Sequence, residues 1–184
     1  MRVETTALAG LLVLVPDVRH DERGFFTRTF EVDLARAHGL DPDAFVQDSQ
    51  SRSRQGVVRG LHGRGGAGEA KLVRCANGAV HDVVVDIRPG SATFGRWLAT
   101  RLDDVEHRHL YIPAGFLHGH QTLTPTADVC YRIDREHNQA EDLAVRYDDP
   151  DLGVEWPAPV TVVSDRDAHA PSWQHLQHLL ASDQ

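Results

Sequence analysis

Positive charge is scarce in this 184-residue chain: 19 basic residues against 27 acidic ones leave a net charge of −8. A nucleic-acid binder relying on overall positive charge is therefore disfavoured. Cysteine is scarcer still. Cys75 and Cys130 are the only two, too few for a disulfide framework and suited to a reducing cytoplasm. Long hydrophobic runs are missing as well. The longest, Ala7 to Val15, spans nine residues and is too short to cross a bilayer, so no membrane role is expected. It makes a poor signal core, because Glu4 offsets Arg2 and no small-x-small cleavage site follows. It reads instead as a buried strand. Nor does any low-complexity segment, charge block or internal repeat divide the chain, so residues 1–184 read as one domain with a sizeable core.

Lysine is almost absent. Of the 19 basic residues 18 are arginine, and the remaining one is Lys71. A general bias towards arginine explains the 18 but not the survivor. An ammonium is a compact donor that a guanidinium does not imitate, so Lys71 is singled out first.

What is present is mostly short apolar runs separated by Gly, Pro and Asp, the pattern of an all-β sandwich or barrel. Candidate strands are Leu11 to Val15, Val57 to His62, Lys71 to Ala76, Ala79 to Arg88, Trp97 to Leu102, His109 to Ile112, Leu117 to Leu123 and Ala127 to Ile133. Asn77-Gly78 favours a tight hairpin between two of them, since both residues tolerate positive φ. Two short helices are expected, Glu31 to His38, stopped by Gly39, and Ser172 to Leu180, with Trp173, Leu176 and Leu180 on one face. Gly63 to Ala70 holds four glycines and reads as a mobile loop. It does not end in Gly-Lys-Ser/Thr and does not open a helix, so it is not a phosphate loop.

Strand alternation places Tyr131 on the apolar face with Val129 and Ile133, and Lys71 with Val73 and Cys75. A core tyrosine needs only some partner for its hydroxyl. A lysine on an apolar face is harder to dismiss, because burying an unpaired ammonium is costly; it points to a working cavity. His62 ends its strand, where a histidine suits general-base chemistry. Simple alternation sends Arg59 and His62 to opposite faces, so a shared site requires a bulge near Gly60. His118 and His120 share a strand face, an arrangement suited to a metal, although two histidines at this spacing are more often structural or exposed.

Eight motifs then appear in order: Asp21-Glu-Arg-Gly-Phe-Phe26, Gly56-Val-Val-Arg-Gly-Leu-His62, Lys71-Leu-Val-Arg74, Asp82-Val-Val-Val-Asp-Ile-Arg88, Phe94-Gly-Arg-Trp97, Tyr111-Ile-Pro-Ala-Gly-Phe116, Asp149-Pro-Asp-Leu-Gly-Val-Glu-Trp-Pro157 and Ser164-Asp-Arg-Asp-Ala-His-Ala-Pro171. Together, over about residues 10 to 171, they resemble the dTDP-4-dehydrorhamnose 3,5-epimerase family of nucleotide-sugar enzymes. The resemblance implies a cupin-type jelly-roll β-barrel with short peripheral helices, a homodimer, and no metal or organic cofactor. It implies a dTDP-4-keto-6-deoxy sugar as substrate, with dTDP-4-keto-6-deoxyglucose epimerised at C3 and C5. By similarity His62 is the base, Asp167 orients it, Lys71 stabilises the enolate oxygen and Tyr131 returns a proton from the opposite face. Arg59, Arg166 and Arg23 would grip the diphosphate, Arg23 from the partner chain. His118 would line the sugar pocket, and Phe26, Gln47 and His137 also fall among the substrate-binding positions.

The chain departs from the family pattern around that pocket. Gly63-Arg64 follows Leu61-His62 in place of an aromatic residue and Gln, and Arg28 replaces an acidic residue. Gln47-Asp-Ser49 stands for Gln-x-Asn, and Gly119-His120 for Gly-Phe. Glu136-His137-Asn138-Gln139 replaces a stretch carrying Tyr and Pro. These changes leave the core chemistry in place and bear on substrate fit, so an epimerase of one carbon only is the second reading. Other readings are a metal-dependent cupin oxygenase using His118 and His120, a catalytically silent sugar-nucleotide binder, and a Schiff-base aldolase using Lys71.

Overall fold

The computed structural model describes residues 1–182. Thirteen strands and three α-helices follow one another among them. In chain order they are β1 (Arg2–Thr5), β2 (Leu12–Val15), β3 (Arg19–Asp21), β4 (Gly24–Phe26), α1 (Val32–Ala37), β5 (Gln47–Arg54), β6 (Val58–Arg64), β7 (Lys71–Asn77), β8 (Ala79–Asp86), β9 (Trp97–Asp103), β10 (His109–Ile112), β11 (Phe116–Thr122), β12 (Thr126–Ile133), β13 (Asp142–Ala144), α2 (Asp165–Ala168) and α3 (Trp173–Ser182).

A six-stranded sheet runs β1-β2-β10-β7-β12-β5 and a five-stranded sheet runs β13-β6-β11-β8-β9. Every pairing within them is antiparallel. The sheets pack on each other as an all-β, cupin-type jelly roll and do not close into one continuous barrel. Between them lie Val73 and Cys75 of β7, Val80 and Val84 of β8, Leu110 of β10 and Val129 of β12. The alternate residues of β8, Val83 and Val85, point the other way and are also buried, against Trp173 and Leu176 of α3. Covering both faces of β8 explains its nearly unbroken apolar run. Each such side chain withdrawn from water contributes roughly 2 kcal/mol.

Most expected elements are present within two residues of their sequence bounds, with three differences. Asn77-Gly78 is a turn, but β7 and β8 belong to different sheets, so it crosses the sandwich and closes no hairpin. Gly78 has φ +73°, and a Cβ there would lie 2.2 Å from the Thr126 carbonyl oxygen; that close approach, not a type I′ hairpin, is what requires glycine. The stretch Gly63 to Ala70 is not a loop throughout. Gly63 and Arg64 extend β6 and pair with β13, and Gly68, Glu69 and Ala70 are buried. Finally, β5 was not visible in the sequence because Gln47-Asp-Ser-Gln-Ser-Arg-Ser-Arg54 has no apolar alternation.

The helices are set by their ends. α1 stops where Gly39 takes φ +75° and the Leu40 N–H donates to the Ala35 carbonyl at 2.9 Å. α2 is a single turn opened by Ser164, whose hydroxyl accepts from the Asp167 N–H at 3.1 Å.

Candidate active site

The site forms where the inner faces of the two sheets diverge. β6 and β11 supply it from the smaller sheet, and the pairing between them is irregular. His62 lies opposite His118 and Arg59 opposite His120, so three steps along β6 match two along β11. The extra residue is absorbed at Gly60, where φ is +127° and a Cβ would meet the Gly119 Cα at 2.6 Å. This bulge turns Arg59 and His62 onto one face, as the sequence requires for a shared site. β7 and β12 supply the opposite wall. Ile133 pairs with Lys71 and Tyr131 with Val73, which sets Lys71 and Tyr131 two positions apart on one face.

A cavity of about 560 Å³ opens between these walls, lined by Arg59, His62, Lys71, His118, His120, Tyr131, Arg166 and Asp167 among others. His62 Nε2 is 2.6 Å from Asp167 Oδ1, while the Gly60 N–H donates to the other carboxylate oxygen at 3.2 Å. Burial alone would raise the Asp167 pKa; the His62 contact and the Gly60 and Ser164 hydrogen bonds outweigh it and hold the carboxyl below its ordinary value. His62 Nδ1 has no protein partner among the described residues and the ring is partly exposed, leaving that nitrogen free to act on a ligand. Across the cavity, burial pushes the Tyr131 hydroxyl well above the usual phenol range, so the group stays protonated until a strong base demands its proton. The Lys71 ammonium lies 2.7 Å from Glu69 Oε1.

Behind the cavity, His118 Nε2 contacts both oxygens of the fully buried Asp82, at 2.9 and 2.8 Å. His120 is also fully buried. Burial first, then the charges of His118 and Arg59, lowers its pKa to about 3, so the ring is neutral at physiological pH. Its Nδ1 lies 3.4 Å from the Tyr131 hydroxyl, and its Nε2 has no partner among the described residues. Asp82, His118 and His120 offer ligand atoms within 4.8 Å of one another, a donor set chemically suited to a divalent cation. His118 and Asp82 are, however, spent on each other, and the triad sits as a hydrogen-bonded wall. Asp82 was legible only as a motif member; an acidic residue on the valine face of β8 was the signal for its role.

Of the sequence-derived positions, His62, Asp167, Lys71, Tyr131, Arg59, His118 and Arg166 meet in this cavity. Gln47 and His137 line a contiguous one of about 190 Å³ that shares His62 and Arg166 with it. Arg23 and Phe26 do not join either. Both sit on the β3–β4 hairpin, Arg23 exposed and paired with Asp21 at 2.6 Å, Phe26 63% exposed. Glu69 was not marked by the sequence, and Arg64 stood there only as a departure from the family pattern; the structure buries the two together beside Lys71.

Residues 5–175 match the family described as dTDP-4-dehydrorhamnose 3,5-epimerase. The chain belongs to that family. It is 41% identical to the dTDP-4-dehydrorhamnose 3,5-epimerase of Salmonella typhimurium over 93% of this chain and 94% of the relative. It is 40% identical to the dTDP-4-dehydrorhamnose 3-epimerase of Streptomyces niveus, over 92% and 83% respectively. Among solved structures, the dTDP-6-deoxy-D-glucose-3,5-epimerase of Legionella pneumophila, in complex with dTDP-4-keto-L-rhamnose, superposes with a TM-score of 0.91. That pair shares 36% identity and covers 97% and 96% of the two chains. Membership of this epimerase family makes the chain an isomerase, and no helix among the described residues is long and apolar enough to cross a membrane.

Proposed function

We propose that the chain epimerises dTDP-4-keto-6-deoxyglucose at C3 and C5 to dTDP-4-keto-L-rhamnose, through enolates, in deoxysugar biosynthesis. The observation that carries this reading is the His62–Asp167 pair on one wall of the cavity, facing Lys71 and Tyr131 on the other. The C4 ketone acidifies the protons at C3 and C5. His62 takes such a proton, and the C–H electron pair passes into the ring carbons and onto the C4 oxygen. Asp167 holds the resulting imidazolium in place. The Lys71 ammonium donates to the developing oxyanion. Tyr131 then gives its proton to the carbon from the opposite sheet, which inverts the centre and leaves a phenolate. A proton returns from His62 to Tyr131 through solvent before the second carbon is turned over.

Arg59 and Arg166 suit the diphosphate, because guanidinium forks take phosphate oxygens in pairs. The exposed hairpin carrying Arg23 and Phe26 belongs, in this reading, to a homodimer in which it reaches the neighbouring subunit's cavity. The chemistry here uses only side chains of the protein. The two free cysteines support a reducing cytoplasmic setting.

One observation favours a second reading, inversion at a single carbon. The cavity beside His62 is walled by the polar side chains of Arg64, Arg135 and His137, and a 3-epimerase stands among the relatives. Product analysis decides between them: nuclear magnetic resonance of the product is expected to show the L-configured 4-keto sugar. A product inverted at one carbon selects the second reading, and unchanged substrate refutes both.

A further inference from the structure

Lys71 does not stand alone in its wall. Glu69, two residues before the start of β7, places Oε1 2.7 Å from the Lys71 Nζ and Oε2 2.9 Å from the Arg64 Nε. All three side chains are nine-tenths or more buried. Burial on its own would raise the Glu69 pKa, but Lys71 and then Arg64 outweigh it and keep the carboxylate ionised. Arg64 is fixed in turn from its far side. It donates to the Asn138 carbonyl at 3.1 Å, lies 3.3 Å from His137 Nδ1, and stands 3.9 Å from Asp142, which itself holds Arg166 at 2.8 Å.

The charge count matters for enolate chemistry. A lone Glu69–Lys71 pair would be neutral, and the ammonium's field on the C4 oxygen would be largely cancelled by the carboxylate behind it. With Arg64 on the second carboxylate oxygen, the three groups sum to one positive charge. Glu69 meanwhile engages one side of an ammonium that has three protons to offer, leaving donors for the cavity.

We propose that Arg64 and Glu69 are a positioning pair for Lys71, with Glu69 aiming the ammonium at the substrate ketone and Arg64 keeping Glu69 from neutralising it. This rests on the reading of Lys71 as the oxyanion donor. Neither residue touches the reacting atoms; both act through Lys71.

The test is steady-state turnover of dTDP-4-keto-6-deoxyglucose by Arg64→Gln, Glu69→Gln/Arg64→Gln, Arg64→Lys and Lys71→Ala, with each variant's melting temperature recorded. Arg64→Gln is expected to lower kcat about tenfold or more with KM within about twofold, because an oxyanion contact is weakened only as charge develops. The double variant restores charge balance and a neutral acceptor for Lys71, so its kcat is expected to recover to within about threefold of the parent. Arg64→Lys, which keeps the charge, is expected to retain most of kcat. Unchanged kcat in Arg64→Gln, or a double variant no faster than Arg64→Gln, overturns the pair's role. Lys71→Ala separates the two levels: full kcat there removes the Lys71 reading and this proposal together. A large loss in Lys71→Ala beside an unaffected Arg64→Gln removes the positioning pair alone.

Discussion

His62 and Asp167 are 105 residues apart in the chain, yet their side chains meet at 2.6 Å. Two local devices bring them together. The bulge at Gly60 turns His62 into the cavity, and the single turn of α2, capped by Ser164, points Asp167 at it. The Gly60 N–H also donates to Asp167, so the residue that makes the bulge anchors the carboxylate.

That arrangement predicts the outcome of removing either partner. Asp167→Asn keeps the shape but loses the charge that holds an imidazolium, and is expected to lower kcat by about 10²-fold or more. Substrate turnover checks it; a loss below threefold would argue that Asp167 has no part in charging His62.

Gly60→Ala tests the bulge itself. A Cβ at that position meets the Gly119 Cα at 2.6 Å, and the backbone there has positive φ, so the variant is expected to lose about 2 kcal/mol of stability. Urea unfolding measures the loss. An unchanged midpoint would mean that β6 and β11 are free to shift apart.

Tyr131→Phe separates proton loss from proton return. The variant is expected to slow product formation more than it slows solvent exchange at the substrate carbon, because abstraction by His62 remains possible. Equal slowing of both rates would remove Tyr131 as the returning acid.

Stability should fall on mild acidification, and His120 supplies part of the reason. Its folded-state pKa is about 3 against an ordinary 6.5, and burial likewise lowers His109 to about 4. As pH drops below 6.5, the unfolded chain takes up protons that the folded protein refuses, so stability is lost over the window from 6.5 towards 3. Asp167 acts in the same direction, since its folded pKa is lowered and its contribution fades as pH falls. His120→Phe is expected to show a shallower decline of melting temperature between pH 7 and pH 5 than the parent. An identical decline would show that His120 titrates as an exposed histidine does.

Subunit mixing tests the hairpin. If the partner subunit's Arg23 completes each cavity, Arg23→Ala and His62→Ala proteins, each impaired, are expected to regain activity when mixed and allowed to exchange. Mixed activity equal to the sum of the two parts would place each cavity within a single chain.

How much of this was legible in the sequence depended on alternation. The inner faces of β7 and β12 put Lys71 and Tyr131 in view, and the conflict between Arg59 and His62 required the bulge that the shifted β6–β11 pairing at His118 and His120 displays. β5 was invisible because its eight residues are polar on both faces; it is paired only with β12, and its partner's hydrogen bonds decide its fold. Asp167 was reached through motif resemblance, since nothing local to a four-residue helix marks it as a partner of His62. Arg64 was noted only as a departure from the family pattern and Glu69 not at all, because the glycines around them made a buried ion-pair cluster look like a mobile loop.

The central claim is that one base–acid pair exchanges protons at carbons flanking the C4 ketone. The most direct measurement is deuterium uptake by dTDP-4-keto-6-deoxyglucose in D2O, resolved by carbon, with the parent protein and with His62→Ala. Label is expected at both C3 and C5 with the parent and none above the uncatalysed rate with the variant. Full-rate labelling by His62→Ala, or no labelling by the parent, would contradict it.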